Sequence, residues 1–419
     1  MQNPTDQPEL QALKARYVFP ATGAPIPDGL VTIQGRTIVA VGPDTPAANV
    51  RDLGNVAIVP GLVNAHTHLE FSDLAEPLGE PGMGFTDWLW GVIQSRRDVT
   101  LSPDHAVQRG LRESVRLGTT TLGEIGQPGF PSGLIADAPL DVTVFLELIA
   151  PMPERVEPAF ELARQHAEGD QRMRGWRAGL SPHAPYSVHP SLLRRLAWLS
   201  HSRKIPIAMH LGESRDELEL LSEGAGPLRE MLIDLGAWDP AQSRGGVLEK
   251  TLLDYLWELD PASRVLVVHG NYLADREIAF LAERSDRMAV VYCPRTHAFF
   301  AHAEYPLAKL LSSGATVALG TDSRASSPDL SVLAEMRFVA RRHPSVGPDT
   351  VLRLGTINGA RALGRDHRLG SLEVGKYADL AVVALPDRDA ADPHELLFDS
   401  NLPVVATWYR GKRVMKDEG

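Results

Sequence analysis

The sequence predicts an α/β chain built as a closed (β/α)8 barrel, with a small sheet domain made from both ends. Three observations carry this. Residues 16–58 alternate short β-rich runs with turns. From Val59 onward, β-branched runs alternate with longer helical patterns, the texture of βαβ units around a parallel sheet. Past Leu363 the short-strand texture returns.

At the N-terminal end, a polar leader precedes Arg16–Phe19, Leu30–Ile33, Thr37–Val41 and Val56–Val59. Turns such as Pro27-Asp28-Gly29 separate these runs, which read as a small antiparallel sheet. The barrel strands are predicted at Leu62–His66, Thr119–Glu124, Val142–Leu148, Trp176–Leu180, Ile207–Leu211, Val265–His269, Ala289–Cys293 and Thr316–Gly320. Amphipathic stretches such as Ser191–Leu199, Arg276–Ala282 and Leu330–Val339 lie between them. Eight such units over residues 62–320 suit a barrel of ~250 residues. A doubly wound open sheet is the alternative, but no Gly-x-Gly-x-x-Gly follows the first strand. In the tail, Gly370-Ser371-Leu372, Ala378–Val383, Val404–Arg410 and Lys412–Met415 complete the sheet domain. The expected division is 1–58 with 364–419 against 59–363.

Composition narrows the function. The 419 residues carry 42 basic and 53 acidic side chains, a formal charge of −11. That balance disfavours a nucleic-acid backbone or an anionic membrane surface as partner. No run of ~18 apolar residues is present to span a bilayer. MQNPTDQPEL lacks the basic and apolar regions of a signal peptide, so a cytoplasmic location is expected. A single cysteine, Cys293, excludes internal disulfides and Cys-cluster metal sites, and with them the deaminases that hold zinc through two thiolates. Fourteen histidines are left to explain.

His66 and His68 end the first barrel strand. Residues i and i+2 of a strand face the same way, so both rings point inward at the barrel mouth, where such barrels place active sites. His183, His210, His269 and Asp322 end other predicted strands. Any one of these could be a satisfied buried polar group. Five imidazoles and a carboxylate at one end of different strands point instead to a transition-metal site.

With Pro60–His68, His210-x-x-Glu213, His269, Asp322, the run Thr356–Gly364 and Gly375–Leu380, the chain resembles the amidohydrolase superfamily. More narrowly it is similar to the aminohydrolase branch, with its adenosine-type, cytosine and guanine deaminases and triazine chlorohydrolases. The resemblance runs from Ala15 to Met415 and implies a (β/α)8 barrel with a β-sandwich from both termini. It also implies that His66, His68, His210 and Asp322 bind one divalent metal, zinc ahead of iron, which stays the alternative. Glu213 becomes the proton shuttle, although it opens an acidic stretch that would also suit a solvated face. His269 would orient water and steady the oxyanion, and Asp322 would move the water proton. Relatives with two metals carry a lysine at the end of strand four; here Leu180-Ser181-Pro182-His183 has none, so one metal is expected.

The implied activity is hydrolytic removal of an exocyclic amine from a nitrogen heterocycle, foremost an adenine-type nucleoside. A triazine chlorohydrolase or a guanine or cytosine deaminase is the alternative, and a non-catalytic barrel the remote one. His183 resembles a substrate-contacting histidine. Phe85, Trp88 and Trp90 either close over a flat ring or pack a helix; Glu124 faces the pocket or supports it. Arg155 and Arg295 meet a substrate carboxylate or solvent. Cys293-Pro294-Arg295-Thr296-His297 departs from the Cys-Pro-x-Ser-Asn of many adenosine-type relatives. The segment His210–Glu230 is similar to deaminases acting on aminodeoxyfutalosine. A small-molecule substrate and a homo-oligomer are expected as partners.

Overall fold

The structure, a computed structural model, describes residues 10–44, 49–97, 103–168, 175–238 and 250–416. Its strands are β1 (Leu10–Lys14), β2 (Tyr17–Val18), β3 (Ile26–Pro27), β4 (Leu30–Gln34), β5 (Thr37–Gly42), β6 (Asn49–Asp52) and β7 (Val56–Pro60). The barrel strands follow: β8 (Leu62–Thr67), β9 (Thr119–Gly126), β10 (Asp141–Leu148), β11 (Arg177–Pro182), β12 (Pro206–Leu211), β13 (Arg264–His269), β14 (Met288–Tyr292) and β15 (Thr316–Leu319). The chain ends with β16 (Leu380–Ala384), β17 (Val404–Tyr409) and β18 (Lys412–Lys416).

Two sheets are built from the termini. One runs β5-β4-β1-β6, the other β18-β17-β16-β7-β2-β3. The two ends of the chain meet where β7 and β16 pair antiparallel, from Pro60↔Leu380 to Val56↔Ala384. Leu13, Ile33, Ile38, Ile58, Val382 and Trp408 share one core between these sheets. Two expectations need correction. Leu10–Lys14, read as part of a polar leader, is an interior strand with Ala12 and Leu13 fully buried; residues 1–9 of that leader lie outside the described residues. The sheets are also mixed rather than antiparallel, because β1–β6 and β2–β7 pair in parallel.

The barrel strands β8 to β15 stand in sequence order, each parallel to the next. The sheet closes where the backbone N–H groups of Thr321 and Asp322 both donate to the His66 carbonyl at 3.1 Å. That closure needs glycine at 320, since a Cβ there would sit 2.9 Å from the same carbonyl oxygen. Val63, Ala65, Phe145, Ala208, Val268 and Val291 fill the interior. Outside, helices lay apolar stripes on the sheet. In Pro190–Arg203, Leu192, Leu193, Leu196, Ala197 and Leu199 form the buried face and Pro190 starts the helix. Phe85, Trp88 and Trp90 lie on a helix, Phe85–Arg97. Among the described residues no helix is long and apolar enough to cross a membrane.

Candidate active site

The C-terminal ends of the barrel strands bring the predicted histidines together. His66 lies within β8 and His68 just after it, so the strand's alternation puts both rings on the inner side. Their centroids are 4.9 Å apart. His210 near the end of β12 lies 5.0 Å from His66, and His269 at the end of β13 lies 5.5 Å from His210. Asp322, just beyond β15, approaches Nε2 of His66 at 3.7 Å and of His68 at 3.9 Å. All five side chains are buried. His269 and Asp322 hold left-handed backbones, φ 67° and 56°. Such conformations cost about 1–3 kcal/mol at a non-glycine residue and persist where the surroundings impose them.

The donor atoms suit a metal ion. Those of His66, His68 and Asp322 lie within 4.8 Å of one another, as do those of His66, His210 and His269. Among the described residues, both ring nitrogens of His66, Nδ1 of His68 and Nε2 of His269 are buried without a well-formed hydrogen bond. Nδ1 of His210 donates to the His183 carbonyl at 2.9 Å, which leaves Nε2 as a lone pair facing the cluster. Burial holds His68, His210 and His269 well below the usual histidine range, with neighbouring imidazoles adding to it. Neutral imidazoles are the form that ligates. Burial works to raise Asp322, but His66, His269 and His68 keep it well below the carboxylate range. Backbone N–H of Ser323 and the Ser326 hydroxyl, at 2.8 and 3.0 Å, fix its two oxygens. Three imidazoles and a carboxylate match the donor chemistry of a divalent transition ion.

Glu213 follows β12 and is buried, not part of a solvated face. Its Oε1 lies 3.2 Å from Nε2 of His269. Its backbone is clamped by Glu217, whose carboxylate accepts the N–H groups of Gly212 and Glu213 at 2.9 and 2.8 Å. Asn271 donates to its carbonyl at 2.8 Å. Burial, with Asp322 and Glu217 nearby, pushes the Glu213 carboxyl well above the usual range. Burial likewise pushes Glu217 up to about 7 against its backbone hydrogen bonds. The environments of Glu213 and Asp322 thus drive their proton affinities apart, the pattern of an acid and a base sharing one site.

A cavity of about 900 Å³, counting open space at its mouth, descends to this cluster. His183 lines it, with its Nδ1 2.7 Å from the Ser187 hydroxyl and its pKa lowered to about 3 by burial and Arg96. Trp88 lines it too, anchored by its indole N–H to the Ala325 carbonyl at 2.9 Å. Phe85 joins them, while Trp90 is more exposed on the same helix.

Other expectations are corrected. Glu124 is fully buried behind the site, where its carboxylate accepts the Leu69 N–H at 2.9 Å; it braces the turn after β8 and does not line the cavity. Arg295 does not reach the cavity either. It pairs with Asp329 at 2.8 Å and with Glu335, a carboxylate that would otherwise be buried alone. Arg155 is exposed on the helix Pro153–Ala167. His297 stacks edgewise on Tyr292 and His302 outside the cavity lining.

Sequence reasoning missed Arg96 and Glu147, both in the cavity wall. Glu147 did carry a signal, a carboxylate in the apolar end of a barrel strand. Arg96, late in a helix, carried none.

The chain matches the amidohydrolase family over residues 57–414. It is 29% identical over 414 residues to the 5-methylthioadenosine/S-adenosylhomocysteine deaminase of Moorella thermoacetica, spanning 94% of this chain and 90% of that protein. It is 31% identical to the aminodeoxyfutalosine deaminase of Deinococcus radiodurans over 82% of each. Among solved structures, an adenosine deaminase from Xanthomonas campestris with bound zinc superposes with a TM-score of 0.77 at 26% identity, covering 98% of this chain and 94% of that one. A buried imidazole–carboxylate cluster at the barrel mouth and a family match across most of the sequence lead to one conclusion: the chain belongs to the amidohydrolase family.

Proposed function

We propose that the protein is a metal-dependent hydrolytic deaminase that removes the exocyclic amine of an adenine-type nucleoside. The observation that carries this is the buried Glu213–His269 pair beside the cluster of His66, His68, His210 and Asp322. The deaminase names of the relatives from Moorella and Deinococcus support the substrate class. The zinc bound in the structure from Xanthomonas is consistent with zinc as the ion here.

His66, His68, His210 and Asp322 would hold the ion, and His269 stands beside them as a water-orienting donor or acceptor. When bound, the metal supplies Lewis acidity that brings water ionisation toward neutral pH. Water adds to the carbon bearing the amine, the carbon–nitrogen bond breaks, and a keto heterocycle and ammonia result. Glu213 delivers a proton to the adjacent ring nitrogen, which makes that carbon electrophilic. Asp322, held ionised, accepts a proton from water and passes it toward the departing amine, and the other proton of water returns to Glu213 as the keto group forms. His269 hydrogen-bonds the oxygen as charge develops on it. The apolar cavity wall excludes bulk water from this exchange.

Zinc-loaded protein should release ammonia from adenosine, 5′-methylthioadenosine or S-adenosylhomocysteine. Chloride release from a chlorotriazine with no ammonia from any purine nucleoside would replace this reading. With the activity goes a cytoplasmic homo-oligomer, tested by cell fractionation and light scattering.

A further inference from the structure

Glu147 ends β10 and is 1% exposed, yet it lines the cavity. Its Oε2 is occupied. Arg96 approaches it at 3.4 Å and the Gln127 amide donates to it. Arg96 is itself held by Glu70 at 2.6 Å. Oε1 is buried and has no hydrogen-bond partner among the described residues. The nearest ring nitrogen, Nε2 of His183, stands 4.0 Å away, beyond hydrogen-bond range. A buried carboxylate oxygen without a donor costs stability, so a pocket that keeps one presents it to a donor on the ligand.

The donors of an adenine nucleoside are few. Nitrogen 9 carries the sugar, and the ring nitrogens left over are acceptors. The exocyclic amine is the group lost at the metal cluster. The ribose 2′- and 3′-hydroxyls are the remaining donors that adenosine, 5′-methylthioadenosine and S-adenosylhomocysteine share. Glu147 also stands beside His183, on the opposite flank of His210 from His269 and its partner Glu213, so the two carboxyl groups face the substrate from different sides.

Resting on the deaminase reading, we infer that Glu147 is the residue that recognises the sugar, its free Oε1 accepting a hydrogen bond from the 2′,3′-diol. Arg96 is a positioning residue: by taking Oε2 it turns Oε1 toward the cavity. The ligand class is then a ribonucleoside rather than a free base or a deoxygenated analogue.

The test compares kcat/KM for adenosine and 2′,3′-dideoxyadenosine in the zinc-loaded parent and in Glu147→Gln. Arg96 directs the amide oxygen of the variant toward itself, which leaves an N–H₂ where the acceptor was. The parent should favour adenosine by ~10- to 100-fold, the worth of a hydrogen bond to a charged group, and the variant should lose most of that preference. A merely structural role for Glu147 would lower both substrates alike and leave the ratio intact, which overturns the inference. Equal turnover of the two nucleosides by the parent also overturns it, needs no variant, and leaves the deaminase reading standing. No ammonia from either nucleoside removes both.

Discussion

Nε2 of His269 lies 3.2 Å from Oε1 of Glu213, and both side chains are buried at the end of neighbouring barrel segments. This pair places a proton-carrying group directly beside the cluster. Glu217 clamps the backbone that carries Glu213, so its position does not depend on a mobile loop side chain alone.

From that contact follows the first prediction. Glu213→Gln keeps the shape but cannot exchange a proton, so turnover should fall ~10²–10⁴-fold, the usual span for a general acid–base group. Metal content should be unchanged, because Glu213 is not in the donor set. Ammonia release and metal analysis on the same preparation check this. Near-normal rates would remove Glu213 from the mechanism.

Metal removal should affect stability as well as rate. The donor atoms of His66, His68 and Asp322 converge within 4.8 Å, with ring nitrogens left unpartnered in the interior. An ion that binds only the folded state at 100 times its Kd adds ~2.7 kcal/mol. Chelation should therefore abolish ammonia release and lower the melting temperature, and added zinc should restore both. His68→Ala should bind well below one equivalent. A melting temperature indifferent to chelator would argue against a resident metal.

Arg295 offers a contrast, since its surroundings make it structural. It neutralises Glu335, which is 0% exposed, and also holds Asp329. Arg295→Ala leaves the Glu335 carboxylate buried without its cation, a change worth ~3–5 kcal/mol of folding stability. Urea unfolding should show that loss, while kcat/KM per folded molecule stays near the parent value. The reverse outcome, intact stability with lost turnover, would return Arg295 to the substrate.

These cases show what could be read from the chain alone. The barrel strands were legible because parallel strands buried on both faces read as apolar runs, and His66, His68, His210, His269 and Asp322 stand at their ends. β1 was not, because Leu10–Lys14 is five residues without strict alternation and draws its burial from β4 and β6 on either side. Glu124 and Arg295 stayed open between two roles for a shared reason. A charged residue beside the strand ends can face the cavity or brace the turn behind it, and only the partners, Leu69 N–H or Glu335, decide. Glu147 needed three dimensions, since its meaning lies in which of its two oxygens is already bonded.

The terminal sheets carry a pH-sensitive group of their own. Asp379 accepts the Arg410 backbone N–H at 2.7 Å through Oδ1, while its Oδ2 is buried without a partner among the described residues. Burial pushes this carboxyl up to about 7, although Arg410 opposes the shift. The folded protein therefore holds a proton that the unfolded chain gives up near the ordinary 3.8. Stability from this group is full below about 3.8 and is lost as pH rises through about 7, because deprotonation then opposes folding. The gap between about 7 and 3.8 corresponds to at most ~4 kcal/mol. Asp379→Asn keeps the acceptor for Arg410 and removes the ionisation, so its stability relative to the parent should rise steadily from pH 4 to pH 7 and then level off. Urea unfolding across that range measures the difference directly. Parallel curves for parent and variant would mean that Asp379 ionises in the folded protein as readily as in the unfolded chain.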